Sequence, residues 1–128
     1  RYLIDTNVLL RFLLQDILSQ YNQAEKLFLD AKNGKIDLII PQIVIFEINF
    51  ALKKFYHLQK KEIIEKLKSL VSTDYVQVES RDIFQQTFIL YKENNVSFAD
   101  CFLVSKAEAE QADIFTFDQK LKKLQYIP

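Results

Sequence analysis

The sequence is poor in the residues that build several common catalytic and cofactor sites. Its single glycine, Gly34, excludes the glycine-rich loops that bind dinucleotides or nucleoside triphosphates. A single cysteine, Cys101, excludes an internal disulfide and a zinc site built on cysteines. A single histidine, His57, excludes a metal site with several histidines. Any bound metal must therefore rest mainly on carboxylate, carbonyl and hydroxyl oxygens.

The chain also lacks an excess of charge of either sign, and it lacks a long apolar run. Its 17 basic and 17 acidic side chains give a formal net charge of zero, which argues against a protein that coats nucleic acid. A nuclease stays open, because an acidic cluster would mask local basic patches. The longest apolar segment, residues 36–46, is interrupted by Asp37 and Pro41 and is shorter than the roughly 20 residues of a membrane span. No signal peptide is visible, so we expect a cytoplasmic protein.

The residues that are abundant are typical of an α/β domain. The 128 residues are 49% hydrophobic and 27% charged, which predicts a single globular domain over residues 1–128. Short apolar runs predict strands at residues 2–4, 37–40, 75–78 and 114–117. Segments with helical spacing separate them. This alternation predicts an α/β, three-layer sandwich with a mostly parallel central sheet flanked by helices.

Helix boundaries follow from capping residues and from the spacing of apolar side chains. Thr6 and Asn7 are predicted to cap the first helix, and Gly34 is predicted to end the second. The helix over residues 43–55 is apolar on nearly all sides, which predicts that it is buried. The remaining helices are predicted over residues 19–32, 60–70, 82–94 and 98–112.

Four acidic residues lie in apolar surroundings, unlike the other acids of the chain. Asp5 and Asp118 follow predicted strands, whereas Glu47 and Asp100 interrupt predicted buried helices. In open α/β sheets, binding sites form at the carboxyl ends of the strands. Because an unpaired buried carboxylate is very costly, all four side chains require compensation. We expect Glu47 and Asp100 to point into the protein.

Divalent cations are the simplest compensation for four converging carboxylates. Oxygen ligands without histidine or cysteine favour Mg²⁺ or Mn²⁺, and such ions assist phosphodiester hydrolysis by activating water. The sequence therefore predicts that a catalytic metal site contains Asp5, Glu47, Asp100 and Asp118. The alternative is a structural role for each acid. Asp100 would then cap its helix, and Glu47 would form an ion pair with Lys54.

The same acids carry a family resemblance. Residues 5–10 (DTNVLL) resemble the opening motif of PIN-domain ribonucleases, especially the VapC-like toxins of toxin–antitoxin pairs. Glu47 resembles the second acid of that family, and residues 97–100 (SFAD) resemble the third acidic motif. Residues 116–121 (TFDQKL) resemble the last one. The resemblance covers essentially the whole chain in the same order.

This resemblance implies a function and a set of partners. It implies an endoribonuclease that depends on Mg²⁺ or Mn²⁺, uses water as the nucleophile and leaves 5′-phosphate ends. It also implies a homodimer, and inhibition by an antitoxin protein whose tail covers the active-site groove. Phe12, Phe50 and Tyr56 are candidates for a dimer or antitoxin surface.

Other side chains are candidates for supporting roles. Thr6, Asn7 and Thr116 would hold a metal-bound water or a phosphate. Helix capping explains Thr6 and Asn7 better than a ligand role does, and strand propensity explains Thr116 equally well. Cationic side chains would contact RNA phosphates, with solvated surface charge as the alternative. These candidates are Arg11, Lys54 and Lys120, together with Lys53, Lys122 and Lys123.

Two other functions stay open at this point. One is a structure-specific DNA nuclease of related fold, although the short length of the chain counts against it. The other is a non-catalytic module whose acids bind the basic tail of a partner. A phosphorylated receiver domain fits poorly, because it requires paired acids after the first strand and Asp5 is followed by Thr6 and Asn7.

Overall fold

The computed structural model of the protein describes residues 1–125. They belong to two compact units, the first formed by residues 1–79 and the second beginning at residue 80. No helix in the described part of the chain is long and apolar enough to cross a membrane. The elements of residues 1–125 are, in order, β1 (Tyr2–Leu3), α1 (Thr6–Leu14), α2 (Leu18–Lys32), β2 (Leu38–Ile40), α3 (Gln42–Lys54), α4 (Lys60–Val71), β3 (Gln77–Val78), α5 (Arg81–Glu93), α6 (Phe98–Ala109) and α7 (Gln119–Leu124).

The first unit contains a three-stranded parallel sheet in the order β1–β2–β3. Tyr2 of β1 lies opposite Leu38 of β2, and Ile39 of β2 lies opposite Gln77 of β3. Parallel neighbours require long crossover connections. Helices α1 and α2 provide the first crossover, and α3 and α4 provide the second. The sheet confirms the predicted α/β class, although β3 is shorter than the strand predicted over residues 75–78.

The helices of the first unit lie close to their predicted positions, with one difference at the start of α1. Both α2 and α4 begin and end within one residue of the predicted bounds. Gly34, which follows the end of α2, has the left-handed φ of 75° that suits its predicted role. The cap of α1 is Asp5, so the predicted capping by Thr6 and Asn7 is wrong. The extended backbone that Asp5 has after β1 is the conformation an N-cap requires.

Helix α3 buries one side instead of its whole surface. Its buried residues are Val44, Ile45, Ile48, Ala51 and Leu52. On the other side Ile43 and Phe50 are 62% and 54% exposed, and Glu47 is exposed as well. The predictions that this helix is buried on nearly all sides, and that Glu47 points inward, are therefore wrong. An apolar composition does not reveal which side of a helix packs, because single apolar side chains are common on protein surfaces.

The second unit packs its helices around aromatic side chains. The ring centroid of Phe84 in α5 lies 4.9 Å from that of Phe102 and 6.1 Å from that of Phe98, both in α6. Tyr91 packs edge-on against Phe98. Burial, and next the nearby Cys101 thiol, raise the pKa of the Tyr91 phenol above its ordinary value. Cys101 itself is buried, as expected of a small apolar side chain.

The strand predicted over residues 114–117 is not observed. These residues are neither helix nor strand. The Ile114 N–H donates to the side-chain oxygen of Gln125 at 3.0 Å, and the Gln125 amide donates back to the Ile114 carbonyl at 3.4 Å. A side-chain amide therefore satisfies the Ile114 backbone, where a strand would require a neighbouring strand. The end of α6 also differs, since the helix stops at Ala109 and was predicted to reach residue 112.

Candidate active site

Asp5 stands at the junction between β1 and α1. Its Oδ1 atom accepts a hydrogen bond from the Val8 N–H at 3.0 Å and so caps the helix. The residue is exposed, and its Oδ2 atom takes no part in this bond. A negative charge is favourable at this end of a helix because of the helix dipole. The structural alternative, helix capping, therefore holds for Asp5, yet it leaves one carboxylate oxygen for another ligand.

Glu47 lines an open groove of about 500 Å³ in the first unit. Thr6, the sequence neighbour of Asp5, lines the same groove, so the start of α1 and the middle of α3 meet there. The other lining residues are Leu10, Phe46, Phe50, Ala51, Phe55 and Tyr56. A carboxylate and a hydroxyl group are thus presented together on a largely apolar, accessible surface next to Asp5.

The ion pair that the sequence allowed between Glu47 and Lys54 is not formed. The Lys54 ammonium group lies 5.6 Å from the centre of the Phe50 ring, within the range of a cation–π contact. Among residues 1–125 the Glu47 carboxylate has no ion-pair or hydrogen-bond partner. The Glu47 carboxylate therefore forms no polar interaction with the described residues that would stabilise the fold, and it is available to a cation.

Asp100 occupies the first turn of α6 in the second unit and is half-buried. Ser97 caps this helix, because its hydroxyl oxygen accepts a hydrogen bond from the Asp100 N–H at 3.2 Å. The alternative in which Asp100 itself is the cap is wrong. Within the described part of the chain its carboxylate has no partner. Asp100 therefore resembles Glu47 in having a free carboxylate.

Asp118 repeats the role of Asp5 at the start of α7. Its Oδ1 atom accepts a hydrogen bond from the Leu121 N–H at 3.0 Å. Its own N–H donates to the Thr116 hydroxyl oxygen at 3.0 Å, so Thr116 shapes the turn that precedes the helix. Asp118 is exposed, and its second carboxylate oxygen is not used by the cap.

The four acids are accessible, whereas the sequence predicted buried carboxylates. Asp5, Glu47 and Asp118 are exposed and Asp100 is half-buried, although their sequence neighbours include core residues. Asp5 and Glu47 belong to the first unit, and Asp100 and Asp118 belong to the second. In the described residues no group of three or more His, Cys, Asp or Glu side chains forms a metal site. Each acid nevertheless offers a free oxygen, which is the donor that Mg²⁺ and Mn²⁺ prefer.

The cationic candidates differ in availability. Lys54 and Lys120 are exposed. Arg11 is buried: its Nη1 atom lies 3.1 Å from the Asp16 carboxylate, and its Nη2 atom donates to the Tyr56 hydroxyl oxygen. Arg11 is therefore not a solvated surface charge. Its hydrogen bond to Tyr56 connects α1 to the segment that follows α3. This cluster was not predicted from the sequence, where its only signal is an arginine within an apolar run.

Asn7 lines a different groove from Thr6. This second groove lies between α1 and α2 in the first unit and has a volume of about 350 Å³. Gln20 and Gln23 line it together with Asn7 and Arg11. Neither glutamine was predicted as a site residue, because exposed amides on a helix look like ordinary solvated residues.

The comparisons with known proteins give the class of protein. The model of the PIN domain family matches residues 2–125, which is nearly the whole chain. The protein therefore belongs to the PIN-domain family. A VapC ribonuclease of Aquifex aeolicus (strain VF5) is 26% identical over 123 residues, which cover 95% of this chain and 90% of the relative. The resemblance to VapC-like PIN domains is confirmed.

Proposed function

We propose that the protein is an endoribonuclease that hydrolyses RNA phosphodiester bonds and acts as the toxin of a toxin–antitoxin pair. The match to the PIN-domain family over residues 2–125 carries this proposal. A relative of nearly equal length is named a VapC ribonuclease, which supports the same activity here. The proposed location is the cytoplasm, where such a toxin meets its RNA.

The proposed cofactor is Mg²⁺ or Mn²⁺, held by Asp5, Glu47, Asp100 and Asp118. Two observations support this ligand set. Glu47 and Asp100 have no protein partner among the described residues, and the two capping aspartates use only Oδ1 for the cap. When bound, such an ion acts as a Lewis acid and lowers the pKa of a bound water.

The side chains of the chain itself complete the reaction. One of the four carboxylates accepts a proton from the attacking water. The water oxygen forms the new bond to phosphorus, and the 3′ oxygen of the RNA leaves and takes a proton from solvent, so the product carries a 5′-phosphate. Thr6, next to Glu47 in the groove, orients the water or the phosphate. The exposed Lys54 and Lys120 attract the phosphate backbone.

A second copy of the chain and an antitoxin are the proposed protein partners. Phe50 is the best supported contact among the aromatic candidates, because it is exposed beside Glu47 in the first groove. Phe12 is less available, since its ring stacks on Phe28 at 4.2 Å. Tyr56 is occupied by its hydrogen bond from Arg11. The patch around Phe50 therefore suits either a dimer contact or an apolar segment of an antitoxin.

Cleavage of defined nucleic acids tests the proposed activity. The purified protein with Mn²⁺ is expected to cut single-stranded RNA, to leave 5′-phosphate ends and to lose activity in EDTA. Mapping the ends of the products on total RNA identifies the sites. Cleavage of flap DNA in place of RNA would establish the DNA nuclease alternative. Binding of a basic peptide without any cleavage in Mn²⁺ would establish the non-catalytic module.

A further inference from the structure

We infer that the groove between α1 and α2 recognises one base of the RNA substrate, an inference that rests on the proposed ribonuclease function. The groove lies entirely within the first unit, and its volume of about 350 Å³ is in the range of small-ligand sites. Its polar lining consists of Asn7, Arg11, Gln20 and Gln23. None of the four proposed metal ligands lines it.

Three of these side chains are carboxamides whose hydrogen-bonding groups are unused. Among the described residues the amides of Asn7, Gln20 and Gln23 have no hydrogen-bond partner. Each carboxamide offers both a donor and an acceptor. The edges of nucleic-acid bases also combine donors and acceptors, whereas a phosphate only accepts. Unpaired RNA exposes these edges, so three free amides at one groove favour a base over a phosphate.

Arg11 lines the groove with a side chain that is held in place, and one of its hydrogen-bond donors has no acceptor among the described residues. The residue is 8% exposed, and Asp16 and the Tyr56 hydroxyl hold its two terminal nitrogens. Its Nε atom is buried and has no acceptor in the described part of the chain. A buried donor without an acceptor is unfavourable. Because both ends of the guanidinium group are already held, little ordering is required on binding.

The rest of the groove and its position suit a nucleotide near the cleaved bond. The apolar part of the lining consists of Val8, Ala24 and Leu27, against which the flat face of a base can pack. The Val8 N–H is the group that Asp5 caps, so the groove begins beside a proposed metal ligand. At the rise of an α-helix, Arg11 lies about 9 Å along α1 from Asp5. A base bound there would belong to a nucleotide close to the scissile phosphate.

Base preference is the property that tests this inference. The substrates are four single-stranded oligoribonucleotides of equal length, each of which carries only one of the four bases. The variants are Gln20→Ala, Gln23→Ala and the double substitution. Asn22→Ala is the matched control, because Asn22 is an exposed carboxamide on the same helix that does not line the groove. Cleavage with Mn²⁺ gives kcat/KM, and fluorescence anisotropy without metal gives binding.

The expected result is a loss of cleavage and binding for the preferred base only. In the double variant, kcat/KM and binding for the preferred base fall about tenfold, the other three substrates change little, and Asn22→Ala behaves as wild type. Unchanged preference in the double variant, or no preference in the wild type, overturns the inference and leaves the ribonuclease proposal standing. An equal loss on all four substrates also overturns it, because it indicates phosphate binding. A wild type that cleaves no RNA overturns both proposals.

Discussion

The acids that begin helices and the acids that lie within helices differ in what they contribute to the fold. Asp5 and Asp118 each accept a backbone N–H through Oδ1 and so hold the first turn of α1 or α7. Glu47 and Asp100 accept no bond from residues 1–125. Both kinds have a free oxygen for a cation. A helix cap uses one carboxylate oxygen and leaves the other free, so it is compatible with the proposed role as a metal ligand. Substitutions at the two kinds of acid should therefore separate stability from activity.

The largest expected effect concerns the acids without a structural role. Glu47→Gln and Asp100→Asn are expected to lower RNA cleavage by at least about 100-fold, because each removes one charge from the proposed metal site. Thermal unfolding without metal should be unchanged. Glu62→Gln, an exposed acid in the first turn of α4, is the matched control and should retain full activity. Full activity in either test variant would remove that residue from the site.

A smaller effect, on stability, is expected at the cap of α1 in addition to the loss of cleavage. Asp5→Ala removes both the charge and the acceptor for the Val8 N–H, so it should lower the free energy of unfolding by about 1 kcal/mol as well as abolish cleavage. Asp5→Asn keeps an acceptor for that bond, so it should lose cleavage with little loss of stability. Chemical denaturation measures the difference between the variants. Equal stability of the two would show that the cap does not stabilise α1.

The smallest expected effect is at the cap of α7. Asp118→Ala should lower the free energy of unfolding by only about 0.5 kcal/mol, because α7 has six residues and lies near the end of the described chain. Its effect on cleavage should still match that of Asp5→Ala. Denaturation and cleavage of the two alanine variants, measured side by side, check both statements. A fully active Asp118→Ala variant with the expected loss of stability would leave Asp118 with the structural role alone.

Much of the architecture could be predicted from local patterns. The parallel order of the first three strands follows from apolar runs separated by helical segments, and α2, α4 and α5 lie within one residue of their predicted bounds. The choice of the four acids as metal ligands also rests on local sequence, because each interrupts or ends an apolar run, and it stays a prediction. These features depend on residues that are near each other in the chain.

Features that depend on distant partners could not be predicted. Residues 114–117 have the composition of a strand, yet the Ile114 backbone bonds the side chain of Gln125 and not a neighbouring strand. Phe115 and Phe117 are 90% and 86% exposed. Glu47 lies in an apolar helix, and only packing reveals that it faces outward. The burial of Arg11 depends on Tyr56, which is distant in sequence.

Mn²⁺ binding to single variants from both units tests the central claim, that the four acids hold the same metal. Electron paramagnetic resonance of free Mn²⁺ gives the affinity of the wild type, Asp5→Asn, Glu47→Gln, Asp100→Asn and Asp118→Asn, with Glu62→Gln as the control. We predict that every one of the four variants binds Mn²⁺ more weakly than wild type and that the control does not. Unchanged affinity in both variants of one unit would contradict the shared site.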